Sequence, residues 1–258
     1  MSGVWHVQPT GMKEMKRLFG ENADATDVPG MELDTISKYG INILQDFKPE
    51  EAPIRPEALQ IQRARKIDDF PATHCLAQGI PLGSMLSEPV KFVQSPKLIA
   101  ILYEADDKHR QIYTDGRVLP KEFDQPAWMG YSVGRWDRDT LVVESAGFND
   151  KTWLDVMGHP HSEALRVTER YHRRDFGRMD VEMTFDDPKM YTKPFTIKVT
   201  YELWPTPTSS SFSATRMRRI APTWANSRST VKACAGTTKR TNPCVVPFAT
   251  SPRKALAT

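Results

Sequence analysis

The chain is poor in several features that would place it at once. It has three cysteines in 258 residues, and two of them, Cys234 and Cys244, lie in its last quarter. That leaves Cys75 alone in the body, which excludes an internal disulfide framework and a thiolate metal cluster there. Cys75 is therefore expected as a small buried hydrophobe. No run of apolar residues approaches the length of about eighteen that a membrane-spanning helix needs. The opening MSGVWHV has neither a basic stretch nor an apolar core behind it, so no signal peptide is expected in this chain. Glycine is scarcer than proline, 14 against 20, which favours many fixed loops over a helical bundle. The chain also has no G-x-S-x-G elbow, P-loop or G-x-G-x-x-G, which argues against the common serine hydrolases, NTPases and dinucleotide-binding enzymes.

Acidic residues disappear after Glu202. Nine of the 35 basic residues lie beyond that point, so the body holds 26 basic against 32 acidic residues, a net charge of −6 beneath an overall +3. A basic tail on an acidic body can be a nucleic-acid arm. Here, however, the tail also loses all alternation of apolar and polar residues. A back-translation of WPTPTSSSFSATRMRRIAPTWAN can read ADTDLIEFLCNENEKDRAHLGK in a neighbouring frame, which is acidic and strand-like. Residues 205–258 are therefore expected to be an out-of-frame, disordered tail, and no nucleic-acid partner is expected.

What is present is period-two alternation. From about residue 90 the chain reads as short strands: KFVQS, KLIAILYE, RQIYTDGR with an Asp115-Gly116 turn, and YSVGRWDRDTLVVES turning at Asp137–Asp139. Leu165, Val167, Glu169 and Tyr171 share one face of LRVTERYHRR. Met179, Val181, Met183 and Phe185 do so in the next strand, and Phe195, Ile197, Val199, Tyr201 and Leu203 in the last. Such alternation means antiparallel strands with one apolar and one wet face. Roughly eight strands predict an up-and-down, lipocalin-like barrel or a strongly curved sheet, large enough to hold one small ligand. The expected organisation is a partly helical N-terminal extension over 1–89, a β domain over 90–204 and the tail. Within the extension, MKEMKRLFG and the segment opened by Pro56-Glu57 read as helices.

The motifs GYSVGRWDRDTLVVES and GHPHSEALRVTER, with KFVQSPKLIAILYEADDKHRQIYTDGR before them, give the chain its likeness. Over residues 2–204 it resembles an uncharacterised family of exported bacterial hypothetical proteins. The resemblance implies a periplasmic or secreted protein, with a leader ahead of SGVW where this chain has Met1. It also implies glycine in the tight turn where this chain has Arg138. It supplies no activity.

Candidate chemistry centres on Asp155, His159, His161, Glu163 and Glu169. In an extended segment His159 and His161 point to one side, a spacing that lets two imidazoles and Asp155 hold a divalent ion, Zn²⁺ or Ca²⁺. G-H-P-H is equally a rigid loop. Glu169 sits on the apolar face of its strand, where desolvation suits a general acid or base; its structural alternative is a partner such as Arg135. Tyr131, Trp136, Trp153 and Tyr171 are expected to line a pocket for a small apolar or cyclic molecule. Together these predict a hydrolase for an ester or lactone, with Glu169, His159 and His161 as catalytic residues. The alternative is a non-enzymatic binding protein, recognisable by an interior without convergent polar groups. Loss of the final strand would leave an open edge and favour a homodimer.

Overall fold

The computed structural model describes residues 1–11, 16, 36–86, 88–104 and 108–204. The expectations for the MKEMKRLFG helix and for 205–258 lie outside the described residues. Nine strands form a closed barrel: β1 (Gly3–Val7), β2 (Val90–Gln94), β3 (Leu98–Tyr103), β4 (His109–Tyr113), β5 (Tyr131–Asp137), β6 (Thr140–Ala146), β7 (Arg166–His172), β8 (Arg178–Asp186) and β9 (Phe195–Leu203). The alternating residues of β7, β8 and β9 face the interior as their pattern requires. Val167, Tyr171, Met179, Val181, Met183, Phe185, Ile197, Val199 and Tyr201 are all buried in the main core. Each such side chain withdrawn from water contributes about 1.5–3 kcal/mol.

Two expectations change. The first concerns the boundary at residue 89, which does not separate an extension from a barrel. Gly3–Val7 is itself a barrel strand, pairing with β2 through Trp5↔Val90 and with β9 through Trp5↔Leu203. Trp5 and Val7, two residues apart, are what bury it. This closure also removes the open edge on which the expected homodimer rested.

The second concerns direction. The ring is not antiparallel throughout, because β4 and β5 run parallel through Ile112↔Ser132 and Tyr113↔Val133. Parity requires this. Strand directions cannot alternate all the way round a ring of nine, so one neighbouring pair must run the same way. Residues 114–130 carry the chain back along the outside to make that parallel pair.

One consequence is that the two ends of the barrel differ. The long connections 8–89, 147–165 and 187–194 gather at one end, with the short 104–108 link. The tight connections 95–97, 138–139 and 173–177 gather at the other. Residues 36–86 cap the long-loop end. They contribute α1 (Lys38–Ile41), α2 (Pro56–Ala64) and single 3₁₀ turns at Ile67–Asp69, Pro71–His74 and Leu82–Ser84. Pro56 opens α2 and Glu57 stands in its first turn, as the sequence suggested. Tyr39, Ile43, Leu44, Ile80 and Met85 of this cap join the barrel core. Ile36, Ile41, Phe70, Leu82 and Leu86 form a second cluster with Trp153.

Candidate functional site

The predicted residues fall into separate groups. The first lies inside the barrel. Glu169 and Arg110 are fully buried and form a two-pronged ion pair, with Arg110 Nη1 donating to Glu169 Oε1 at 3.0 Å and Nη2 to Oε2. Tyr171 Oη donates to Glu169 Oε1 at 2.7 Å. Arg110 also donates to Ser132 Oγ at 3.0 Å and Ser145 Oγ at 2.7 Å. Burial pulls the Arg110 guanidinium down, but the charge and hydrogen bonds of Glu169 outweigh it and hold Arg110 well above its ordinary value. Burial, reinforced by Glu169, pushes the Tyr171 hydroxyl well up. Nearer the cap, Ser84 Oγ meets Tyr103 Oη at 3.2 Å, and Tyr201 Oη donates to the Ser84 carbonyl.

Glu169 thus has an arginine partner, but it is Arg110 and not Arg135. Arg135 lies on the outer face near Glu144, at 3.7 Å. The signal for Arg110 was present in HRQIY, where period two puts Arg110 on the same face as the buried Ile112. The polar groups of the interior are thus bonded to one another.

The second group lies in the β6–β7 connection, beneath α2. Asp155 accepts from the Ile43 amide at 2.6 Å, the His159 amide at 3.1 Å and His159 Nδ1 at 2.5 Å. A carboxylate that only accepts places the ring proton on Nδ1, so Nε2 carries the lone pair. Its partner is the Gln62 side-chain amide at 3.1 Å, which also reaches the Met157 carbonyl at 3.3 Å. Gly158 turns the chain at φ +83, a conformation that favours glycine, with Arg65 beside it. Arg65 donates to the Gly158 carbonyl at 2.9 Å and sits 4.9 Å above the Trp153 ring. Gln62 and Arg65, three residues apart, place an amide and a cation on the side of α2 that meets this loop. Nothing in the sequence marks these two, since α2 is polar and buries only Ala58.

His161 is held apart from His159. Its Nδ1 donates to the Ser162 carbonyl at 3.2 Å, and its Nε2 accepts from Thr152 Oγ1 at 2.6 Å. Burial lowers its proton affinity. Both imidazoles therefore spend both ring nitrogens on protein partners. Among the described residues no group of three or more His, Cys, Asp or Glu side chains is arranged to hold a metal ion. An ion bound by His159, His161 and Asp155 would have to take these rings from their present partners.

The expected pocket aromatics are dispersed. Tyr131 stacks on Tyr113 at 5.3 Å and accepts from Arg117 at 3.0 Å. Trp136 stands half-exposed at the short-loop end, Trp153 packs edge-on to Phe70, and Tyr171 lies inside the barrel. Cys75 is exposed, contrary to expectation. It closes the Pro71–His74 turn with a left-handed φ of 57°, a position that leaves it outside the core. Comparison of the chain with protein-family models, with curated proteins and with solved structures finds no match.

Proposed function

We propose that the protein is a small-molecule hydrolase acting on an ester or lactone, with His159 as its base. The observation that supports this is the Asp155–His159 pair. The carboxylate orients the ring through Nδ1, and the basic Nε2 is turned toward a neutral amide of α2. A water taking the place of the Gln62 amide would stand at Nε2. It attacks the substrate carbonyl carbon as its proton passes to Nε2. Asp155 steadies the resulting imidazolium, and Arg65 offers its charge to the developing oxyanion. Collapse of the tetrahedral intermediate expels the alkoxide, which takes the proton back from His159. Glu169, expected as a catalytic residue, is in this reading a structural partner of Arg110, since donors already hold both of its oxygens.

The test is pH-stat hydrolysis of a panel of esters and lactones by the wild-type chain, His159→Gln and Asp155→Asn, with near-UV circular dichroism to confirm folding. His159→Gln is expected to lose at least about 100-fold in kcat/KM, and Asp155→Asn to lose less. Turnover that survives in folded His159→Gln removes His159 as the base. Turnover abolished by chelator and restored by Zn²⁺ or Ca²⁺ brings a metal ion into the site. Absence of turnover across the panel defeats the hydrolase reading and leaves small-molecule binding.

A further inference from the structure

At the long-loop end, separate from His159, lies a groove of about 360 Å³ whose lining includes Lys121, Phe123, Gly147, Glu163, Arg166 and Asp186. Its volume is at the small end of the range for small-molecule sites, about 300–1,000 Å³. Its lining mixes apolar and charged residues. Leu165 and Ala146 are buried, and Phe123 packs so closely on the chain that a Cβ at Gly147 would come within 2.5 Å of its ring. Gly147, at φ +73, is the residue that permits this approach. Behind the groove, Asp187 fixes the loop by accepting from the Ser162 amide at 2.6 Å and the Ser162 hydroxyl at 2.8 Å.

The lining holds two cations and two anions that do not neutralise one another. Arg166 and Asp186 are directly opposed across β7 and β8, a position where unlike charges ordinarily pair. Yet among the described residues neither makes an ion pair within 4 Å, and the same holds for Lys121 and Glu163. Opposite charges left apart around the Phe123 ring match a molecule that carries both signs at its ends and an apolar group between or beside them.

We propose that this groove binds a small amphipathic zwitterion of dipeptide size. Its ammonium is taken by Glu163 and Asp186, its carboxylate by Lys121 and Arg166, and its apolar side chain lies against Phe123. The site is independent of the Asp155–His159 pair.

The experiment is calorimetric and NMR titration of the full chain with glycyl-L-phenylalanine, and with the same dipeptide N-acetylated or C-amidated. Saturable binding is expected, with affinity falling about tenfold or more when either end is blocked. Glu163→Gln with Asp186→Asn is expected to abolish the penalty for acetylation, and Lys121→Gln with Arg166→Gln the penalty for amidation. His159→Gln is expected to leave binding unchanged. These surface substitutions spare the core, and amide chemical shifts verify that each variant is folded. Absence of saturable binding overturns the proposal. So does binding that is indifferent to both blocking groups, or binding that all four charge substitutions leave intact.

Discussion

Arg110 and Glu169 bury opposite charges where most of the barrel buries hydrocarbon. Removing one partner strands the other, so Arg110→Met is expected to destabilise the fold by about 3–5 kcal/mol. The double variant Arg110→Met/Glu169→Leu removes both charges and is expected to stand closer to wild type than Arg110→Met does; urea unfolding of the three proteins measures the order. If the double variant is as unstable as the single, the pair contributes more than mutual neutralisation. His161 gives a prediction in pH. Burial lowers its proton affinity below the ordinary 6.5, so the folded chain takes up this proton less readily than the unfolded one. Its contribution is neutral above that value and becomes destabilising as pH falls through it. Thermal unfolding between pH 7.5 and 5 is expected to show a shallower loss of Tm in His161→Gln than in wild type. At this scale the sequence was partly legible. Alternation identified Glu169 as inward and, read three strands earlier in β4, would have identified Arg110. Spacing brought His159 and His161 together on an extended segment, whereas the loop turns at Gly158 and gives each ring its own partners.

At the level of elements, the β5–β6 hairpin has a two-residue turn, Arg138-Asp139, closed by Asp137↔Thr140. Of the two residues only Arg138 has a positive φ, 58°, the pattern of a type II′ turn whose first central position favours glycine. Arg138→Gly is therefore expected to stabilise the protein by about 1 kcal/mol, read as a higher urea midpoint at unchanged slope. The seam between β4 and β5 rests on two register pairs, whereas β8 and β9 share eight. Native-state hydrogen exchange is accordingly expected to be faster at the strand ends flanking this seam than in the centre of β8. The strands from β6 onward could be read from their period, because one face of each is buried. The parallel seam could not, since period two reports which face is buried and says nothing about direction. β1 escaped because its partners stand far along the chain, at Val90 and Leu203, and no turn joins it to a neighbouring strand.

For the whole molecule, the two ends of the barrel differ in what they can build. Tight turns at one end leave little backbone to shape, while the long connections at the other build the His159 loop, the zwitterion groove and the cap. The cap was the least legible part. Its residues join two hydrophobic clusters through contacts distant in sequence, such as the Ile43 amide on Asp155, and local pattern carries no trace of these. The order of the strands has a mechanical consequence as well. β1 begins and β9 finishes at the same end of the barrel, side by side and antiparallel, with the Trp204 amide bonded to the Val4 carbonyl at 2.8 Å. A load applied between residues 1 and 204 would open this junction like a zipper, one rung at a time, instead of shearing several rungs at once.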